Sequence, residues 1–214
     1  MSWLPFFNAF VVFVAVVSSF LWQLAGVLVF VGMISVSVCY LLKELFYTGQ
    51  RYVMGFGLFI MTEAILFFSL FAGCLWYESP DTETISEFLE LPFLGCFLLL
   101  GSSITVTAYH HGMGLSWGRW CLWATLFLGT CFMLLQMYEF YDCECSWSDS
   151  VYYAVCFSTV GLHFLHVLMG TVGLCIVIYM GGSNLSDYYS DIVVWYWHFV
   201  DYIWLLVFMV VYLS

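Results

Sequence analysis

Long runs of apolar residues, broken by short polar stretches, fill the chain at roughly 5–22, 25–42, 52–77, 92–112, 120–141, 150–180 and 190–213. A helix needs about 20 apolar residues to cross the hydrocarbon core of a bilayer. The runs lack the period-two alternation of barrel strands and are too long for them. The pattern therefore predicts an all-α polytopic membrane protein, a seven-transmembrane-helix bundle. Polar breaks agree with that division: Gln23 separates the first two runs, Tyr47–Gln50 the next pair, and Glu78–Glu83 the third from the fourth. Pro92 suits the first turn of helix four, where its missing N–H has no partner to lose. Ser148 and Asp149 are placed to cap helix six, and Gly181–Asn184 to end it. No internal repeat is visible, which removes the usual sequence pointer to an inverted-repeat transporter.

Composition strengthens the reading. Of 214 residues, 64% are hydrophobic and 8% charged, against about a quarter charged in soluble domains. With a mean hydropathy of +1.02, too little polar surface exists to coat a soluble globule, and disorder fails for the same reason. The N-terminus has neither a basic n-region nor an Arg/Ser-rich amphipathic stretch, so the first span is expected to act as its own signal. A formal net charge of −11 excludes a nucleic-acid surface. The nine cysteines lie mostly inside apolar runs, where they read as small hydrophobes. Only Cys143 and Cys145, beside Asp142 and Glu144, suggest a disulfide or a metal, and their spacing makes a poor tetrahedral pair.

The three basic residues set an orientation. Lys43 and Arg51 fall between helices two and three and Arg119 between helices four and five, all on one side. The positive-inside rule puts that side and the N-terminus in the cytoplasm or the mitochondrial matrix. The other side collects Glu78, Asp81, Glu83, Glu87, Glu90, Asp142, Glu144 and Asp149.

Ionisable groups inside the spans carry the candidate chemistry. Glu63 and Asp201 sit near mid-depth, where an ionised carboxylate costs roughly 2.5–3.5 kcal/mol on insertion scales, so each must be paired or neutral. His163 and His166 share a face of helix six at i,i+3 spacing, as do His198 and Asp201 on helix seven. His110 and His111 lie near the inner end of helix four. A haem held between helices would want paired histidines two turns apart on each of two helices, which no span supplies. A di-iron site would want Glu-x-x-His pairs that are also absent. Hydrogen bonding between helices by buried polar groups remains the plainer reading. Trp195, Tyr196 and Trp197 fit an inner aromatic belt, and Gln136 and Glu139 a hydrated end of helix five.

Laid out this way, the chain resembles subunit III of the haem-copper cytochrome c oxidases. Phe59–Phe68, with Glu63, is similar to the family's third helix and its buried glutamate. Leu89–Pro92 continuing through Ser102–Thr105 to His110–His111 is similar to the fourth. Leu134–Tyr141, Ser148–Tyr152 and the Gly161–Gly170 stretch holding His163 and His166 resemble the fifth and sixth, and Trp195–Leu205 the seventh. Residues 1–49 match less well: Leu41 and Leu42 stand where the family has paired tryptophans, and basic residues are missing around Gly181–Tyr188.

The resemblance implies a non-catalytic core subunit of complex IV, in which electrons pass from cytochrome c to dioxygen with proton pumping. It implies two regions, 1–46 carrying helices 1–2 and 47–214 carrying helices 3–7, splayed about a lipid-filled cleft. Haem a, haem a3 and copper would belong to partner subunits and none to this chain. The expected partners are subunits I and II, accessory subunits, phospholipids and, through the complex, cytochrome c. The outer acidic residues would add to a negative field for that basic protein, or be simply solvated. The proton-linked residues implied are Glu63, His163, His166, His198 and Asp201, with His163 or His166 as the partner of a largely neutral Glu63. The lipid contacts implied are Lys43, Arg51, Trp195, Tyr196 and His198. The location implied is the mitochondrial inner membrane, N-terminus in the matrix and C-terminus in the intermembrane space, or a bacterial plasma membrane. A haem-anchor subunit, or a proton-coupled transporter using Glu63, His163 and Asp201, is the alternative.

Overall fold

The computed structural model describes residues 4–21, 23–48, 53–79, 85–87, 89–143, 145–180 and 187–213. Among them are seven α-helices and no strand: α1 (Leu4–Phe20), α2 (Leu24–Thr48), α3 (Val53–Tyr77), α4 (Leu91–His111), α5 (Ser116–Asp142), α6 (Val151–Met180) and α7 (Asp187–Val207). A π-helical turn, Phe208–Tyr212, continues α7. Helices α2 to α7 are each long and apolar enough to cross a membrane, and α1 is a shorter apolar helix. At 17 residues it spans about 26 Å, just under the ~30 Å hydrocarbon core.

Helix ends follow from local chemistry. Pro92 lies in the first turn of α4, as its sequence position predicts. Helix α4 stops at Gly112, whose N–H bonds back to the Ala108 and Tyr109 carbonyls, and Gly114 turns the chain with φ of 84°, a conformation that side chains resist. The cap of α6 differs from expectation. Asp149 Oδ2 accepts the Ser146 N–H at 2.7 Å within the preceding turn, and it is the Ser150 hydroxyl that accepts the Tyr153 N–H at 3.2 Å. The proposed stop at Gly181–Asn184 lies outside the described residues.

The chain divides into two compact units, Met1–Tyr52 and Val53–Ser214. In the first, α1 and α2 pair antiparallel, and the Ser37 hydroxyl donates to Asn8 Oδ1 at 2.6 Å. In the second, α4 packs on α5 and α7, and α6 on α3, α5 and α7. One end of this bundle holds the α4–α5 turn with Arg119, the other Glu87 and the α5–α6 connection.

Helices gain little hydrophobic driving force from one another inside lipid, so close van der Waals packing at small residues has to hold them. The second unit shows this at Trp197, which is fully buried. It fills a notch cut by two glycines: a Cβ on Gly129 would stand 2.6 Å from its ring and one on Gly170 2.9 Å. Its indole N–H donates to Ser102 Oγ at 2.9 Å, tying α7 to α4. Only Trp195 of the expected aromatic belt is exposed, whereas Tyr196 and Trp197 are buried. Three consecutive helical residues point in different directions, so a belt reading for all three fails on geometry.

Candidate functional site

Glu63 of α3 meets His166 of α6, with Glu63 Oε2 3.1 Å from His166 Nε2. The other ring nitrogen, Nδ1, lies 2.8 Å from the Leu162 carbonyl. A carbonyl only accepts, so Nδ1 carries a proton. The Nε2–Oε2 contact then needs one more, held either by a neutral Glu63 that donates or by an imidazolium facing a carboxylate. Either way the pair holds one exchangeable proton between two helices. Phe67 packs edge-on against the imidazole at 5.2 Å and Tyr196 stacks on it at 6.3 Å. The side chain of His166 is 9% exposed and that of Glu63 24%.

His163 does not join this pair. It is buried, with Nε2 3.1 Å from the Val200 carbonyl of α7, between the rings of Phe132 and Trp204. Its Nε2 therefore bears a proton, and Nδ1 has no hydrogen-bond partner. The histidine nearer the third helix takes the glutamate, and the other anchors α6 to the backbone of α7.

A second set of polar groups runs along the seam between α4 and α7. His110 Nε2 is 3.1 Å from Asp191 Oδ1 at the Arg119 end. Further in, His198 Nε2 lies 3.3 Å from Thr107 Oγ1 and its Nδ1 2.9 Å from Ser103 Oγ. Deeper still is Asp201, buried, with both carboxyl oxygens free of hydrogen bonds. His198 and Asp201 are thus neighbours on α7, as their spacing predicts, but the groups that meet His198 are hydroxyls of α4. The sequence reading missed those hydroxyls as partners, and only the polar Ser102–Ser103 doublet in an apolar run marks them.

A third buried group contradicts the hydrated helix end expected of Gln136 and Glu139. Both are buried. Gln136 Nε2 donates to Glu139 Oε2 at 2.7 Å, and the Ser86 hydroxyl to Oε1 at 2.7 Å. Ser86 from between α3 and α4 and Tyr212 of the π-helical turn lie beside the carboxyl, which is almost fully buried. Ser86 and Tyr212 are distant in sequence, which hides the cluster from a local reading.

Cys143 and Cys145 are free thiols; Cys143 Sγ bonds the Ile85 and Cys145 carbonyls at 3.4 and 3.6 Å. Burial pushes the Cys143 thiol above its ordinary pKa. No group of three or more His, Cys, Asp or Glu side chains among the described residues is placed to hold a metal. Of the lipid contacts expected, Lys43 and Trp195 are exposed, Tyr196 is buried and His198 half-buried in the α4–α7 seam. Arg51 lies outside the described residues, as do Asp81, Glu83 and Glu144 of the acidic face.

The sequence model of the family described as cytochrome c oxidase subunit III matches residues 6–214. Cytochrome c oxidase subunit 3 of Pisaster ochraceus is 36% identical over 185 residues, covering 77% of this chain and 69% of that protein. That of Mammuthus primigenius is 34% identical over 183 residues, with coverage of 77% and 69%. The probable cytochrome c oxidase subunit 3 of Rickettsia prowazekii (strain Madrid E) is 31% identical over 191 residues, with coverage of 75% and 67%. The chain belongs to the cytochrome c oxidase subunit III family, and is a membrane-embedded subunit of that oxidoreductase complex, working with other oxidase subunits.

Proposed function

We propose that this chain supports the catalytic subunit of its oxidase without carrying a redox centre, and that the Glu63–His166 pair is its proton-linked group. In this reading it stabilises subunit I, borders subunit II and accessory subunits, binds phospholipids, and sustains proton uptake. Haem a, haem a3 and copper reside in the partner subunits, and cytochrome c is met by the complex. The membrane is the mitochondrial inner membrane, with the N-terminus and Arg119 in the matrix and the C-terminus in the intermembrane space. The animal relatives support that location, and the bacterial one keeps a plasma membrane as the second.

One observation carries the proton-linked role: Glu63 and His166 share a single proton, because His166 Nδ1 is committed to the Leu162 carbonyl. Loss of that proton would leave two acceptors facing each other, so the contact between α3 and α6 depends on whether the proton is held. Lipid contact falls in this reading to Lys43, Arg51, Trp195, Tyr196 and His198, of which Lys43 and Trp195 have the exposure that supports it. The family comparisons favour a subunit over a haem anchor or a free transporter.

The test is to purify the oxidase through an affinity tag on this chain. Subunits I and II should come with it, and the absorption spectrum should show their haem. Replacing His163 and His166 together by Gln should leave the haem-to-protein ratio unchanged in whatever complex assembles. Recovery of the chain alone, or loss of a haem band from intact complex, would overturn the proposal.

A further inference from the structure

Asp201 is the buried carboxyl that the Glu63 pair does not use. It lies in α7 with both oxygens buried and neither accepting a hydrogen bond. The hydroxyls of Ser102 and Ser103 stand beside it, but each is engaged elsewhere. Ser102 Oγ donates to the Leu99 carbonyl and accepts from Trp197, and Ser103 Oγ pairs with His198 Nδ1. An ionised carboxylate with no donor in apolar surroundings costs several kcal/mol. The site therefore suits the protonated acid, which brings its own donor.

A file of polar groups runs from beside that acid toward the Arg119 end. On α4, Ser103, Thr107 and His110 follow one another at i, i+4 and i+7, on one helix face. On the antiparallel α7, His198 and Asp191 are likewise seven residues apart. The two stripes face each other, since His198 bonds both Ser103 and Thr107, and His110 pairs with Asp191. Thr107 Oγ1 donates to the Ser103 carbonyl at 2.8 Å, so toward His198 it can only accept. His198 Nε2 must therefore carry a proton and Nδ1 must accept from Ser103. The Ser103 and His198 hydrogens then point the same way, toward the Arg119 end, while the Thr107 hydrogen is held by the Ser103 carbonyl.

We propose that Asp201 is a second proton-holding site, loaded from the Arg119 end of the membrane through His198, with Ser103 as its hydroxyl link and Thr107 as the acceptor that orients the His198 ring. On release, the Asp201 proton passes to Ser103 Oγ as the Ser103 proton passes to His198 Nδ1, giving an imidazolium. The Nε2 proton then leaves past Thr107 toward the helix end, where His110 and Asp191 stand. A carboxylate remains at Asp201 and His198 is left neutral with its proton on Nδ1. Uptake runs the same transfers backwards, so no atom is gained or lost except the proton. Thr107 is exposed and lies four residues before the end of α4, about 6 Å along the axis, within reach of headgroup water.

Of the titratable groups around this file, His110, Asp191 and His198 belong to it, His111 meets the His110 ring edge-on, Tyr202 stacks on His198, and the Tyr109 hydroxyl donates to Ser190. From α6, His163 commits its Nε2 proton to the Val200 carbonyl, and from α3, Glu63 is bound to His166. The site is thus separate from the Glu63 pair, and the inference stands without that reading.

Infrared spectroscopy of the intact oxidase tests it. A protonated Asp201 gives a carboxylic-acid carbonyl band that disappears in Asp201→Asn and shifts in Asp201→Glu, the second variant serving if the first fails to assemble. Glu63→Gln should leave that band in place, which keeps the two carboxyls apart. After transfer to deuterated buffer the band should shift down promptly in the parent. Ser103→Ala, Thr107→Val and His198→Gln should keep the band and slow its shift at least tenfold. A merely structural seam would not change that rate. Absence of any Asp201-dependent band, or equal exchange rates in the parent and the three variants, would overturn the proposal.

Discussion

Adding one carbon at Gly129 should do more damage than its size suggests. The new Cβ would lie 2.6 Å from Cη2 and 2.9 Å from Cζ2 of Trp197, and 3.3 Å from Thr171 Cγ2. Carbon atoms rest about 3.5–4.0 Å apart, so the indole must retreat by roughly 1 Å. It has nowhere to go. On α6, even the missing Cβ of Gly170 would be only 2.9 Å from the ring, and the indole N–H is held by Ser102 at 2.9 Å. Overpacking of this kind costs about 1–3 kcal/mol. At roughly 2–4 °C per kcal/mol for a chain of this size, Gly129→Ala should lower the temperature at which this subunit unfolds by several degrees. Gly101→Ala is the control. Its Cβ would meet only Leu128 Cδ1 at 3.6 Å, an ordinary contact, and Gly→Ala in a helix interior gains about 0.5–1 kcal/mol. The assay is thermal unfolding of the detergent-solubilised complex, with release of this subunit followed by electrophoresis. Trp197→Phe combined with Gly129→Ala should restore part of the loss, because the smaller ring vacates the contact. Equal melting of the Gly129→Ala and Gly101→Ala proteins would refute the notch as the reason for the glycine.

Three further outcomes follow from the polar groups. A hydrophobic carbodiimide should modify Glu63, whose side chain is 24% exposed and shares a proton with His166; mapping an adduct elsewhere and none at Glu63 would count against that state. Ser86→Ala should remove a 2.7 Å bond to the buried Glu139 at a cost of about 1–3 kcal/mol and speed backbone hydrogen exchange around residues 85–87; unchanged exchange there would show the contact to be idle. An impermeant thiol reagent should reach Cys143 and Cys145 only from the side opposite Arg119. Because burial raises the Cys143 pKa, its thiolate fraction near neutral pH is below that of a free cysteine, so its labelling should climb with pH beyond the usual thiol range. Labelling from the Arg119 side alone would reverse the topology.

The helix count was readable because each helix carries its own apolar run, six of them long enough for a bilayer and α1 just short of it, but helix ends were not. Hydropathy measures the part of a helix inside hydrocarbon, so α2 continues through Lys43 to Thr48 and α5 starts at Ser116, before Arg119. Glu63 announced itself as a mid-span charge that had to find a partner, and its partner was one of two histidines already in view. The hydroxyls of Ser103 and Thr107 did not, since Ser and Thr in apolar helices routinely bond their own backbone, as Thr107 also does here. Glu139 was misjudged because its position near a helix end says nothing of Ser86 and Tyr212, which arrive from far along the chain to cover it.

Proton uptake by the reconstituted oxidase tests the central claim most directly. Complexes carrying the parent chain, Glu63→Gln and Glu63→Ala would be placed in vesicles and protons taken up per electron measured during turnover. The Gln side chain can still donate to His166 Nε2 but holds no exchangeable acid proton, so Glu63→Gln should assemble normally and take up fewer protons. Glu63→Ala should do the same and also lose stability, by about 1–3 kcal/mol for an unpaired buried imidazole nitrogen. Normal assembly with unchanged proton uptake in both variants would reduce Glu63 to a tolerated buried polar group and contradict the account.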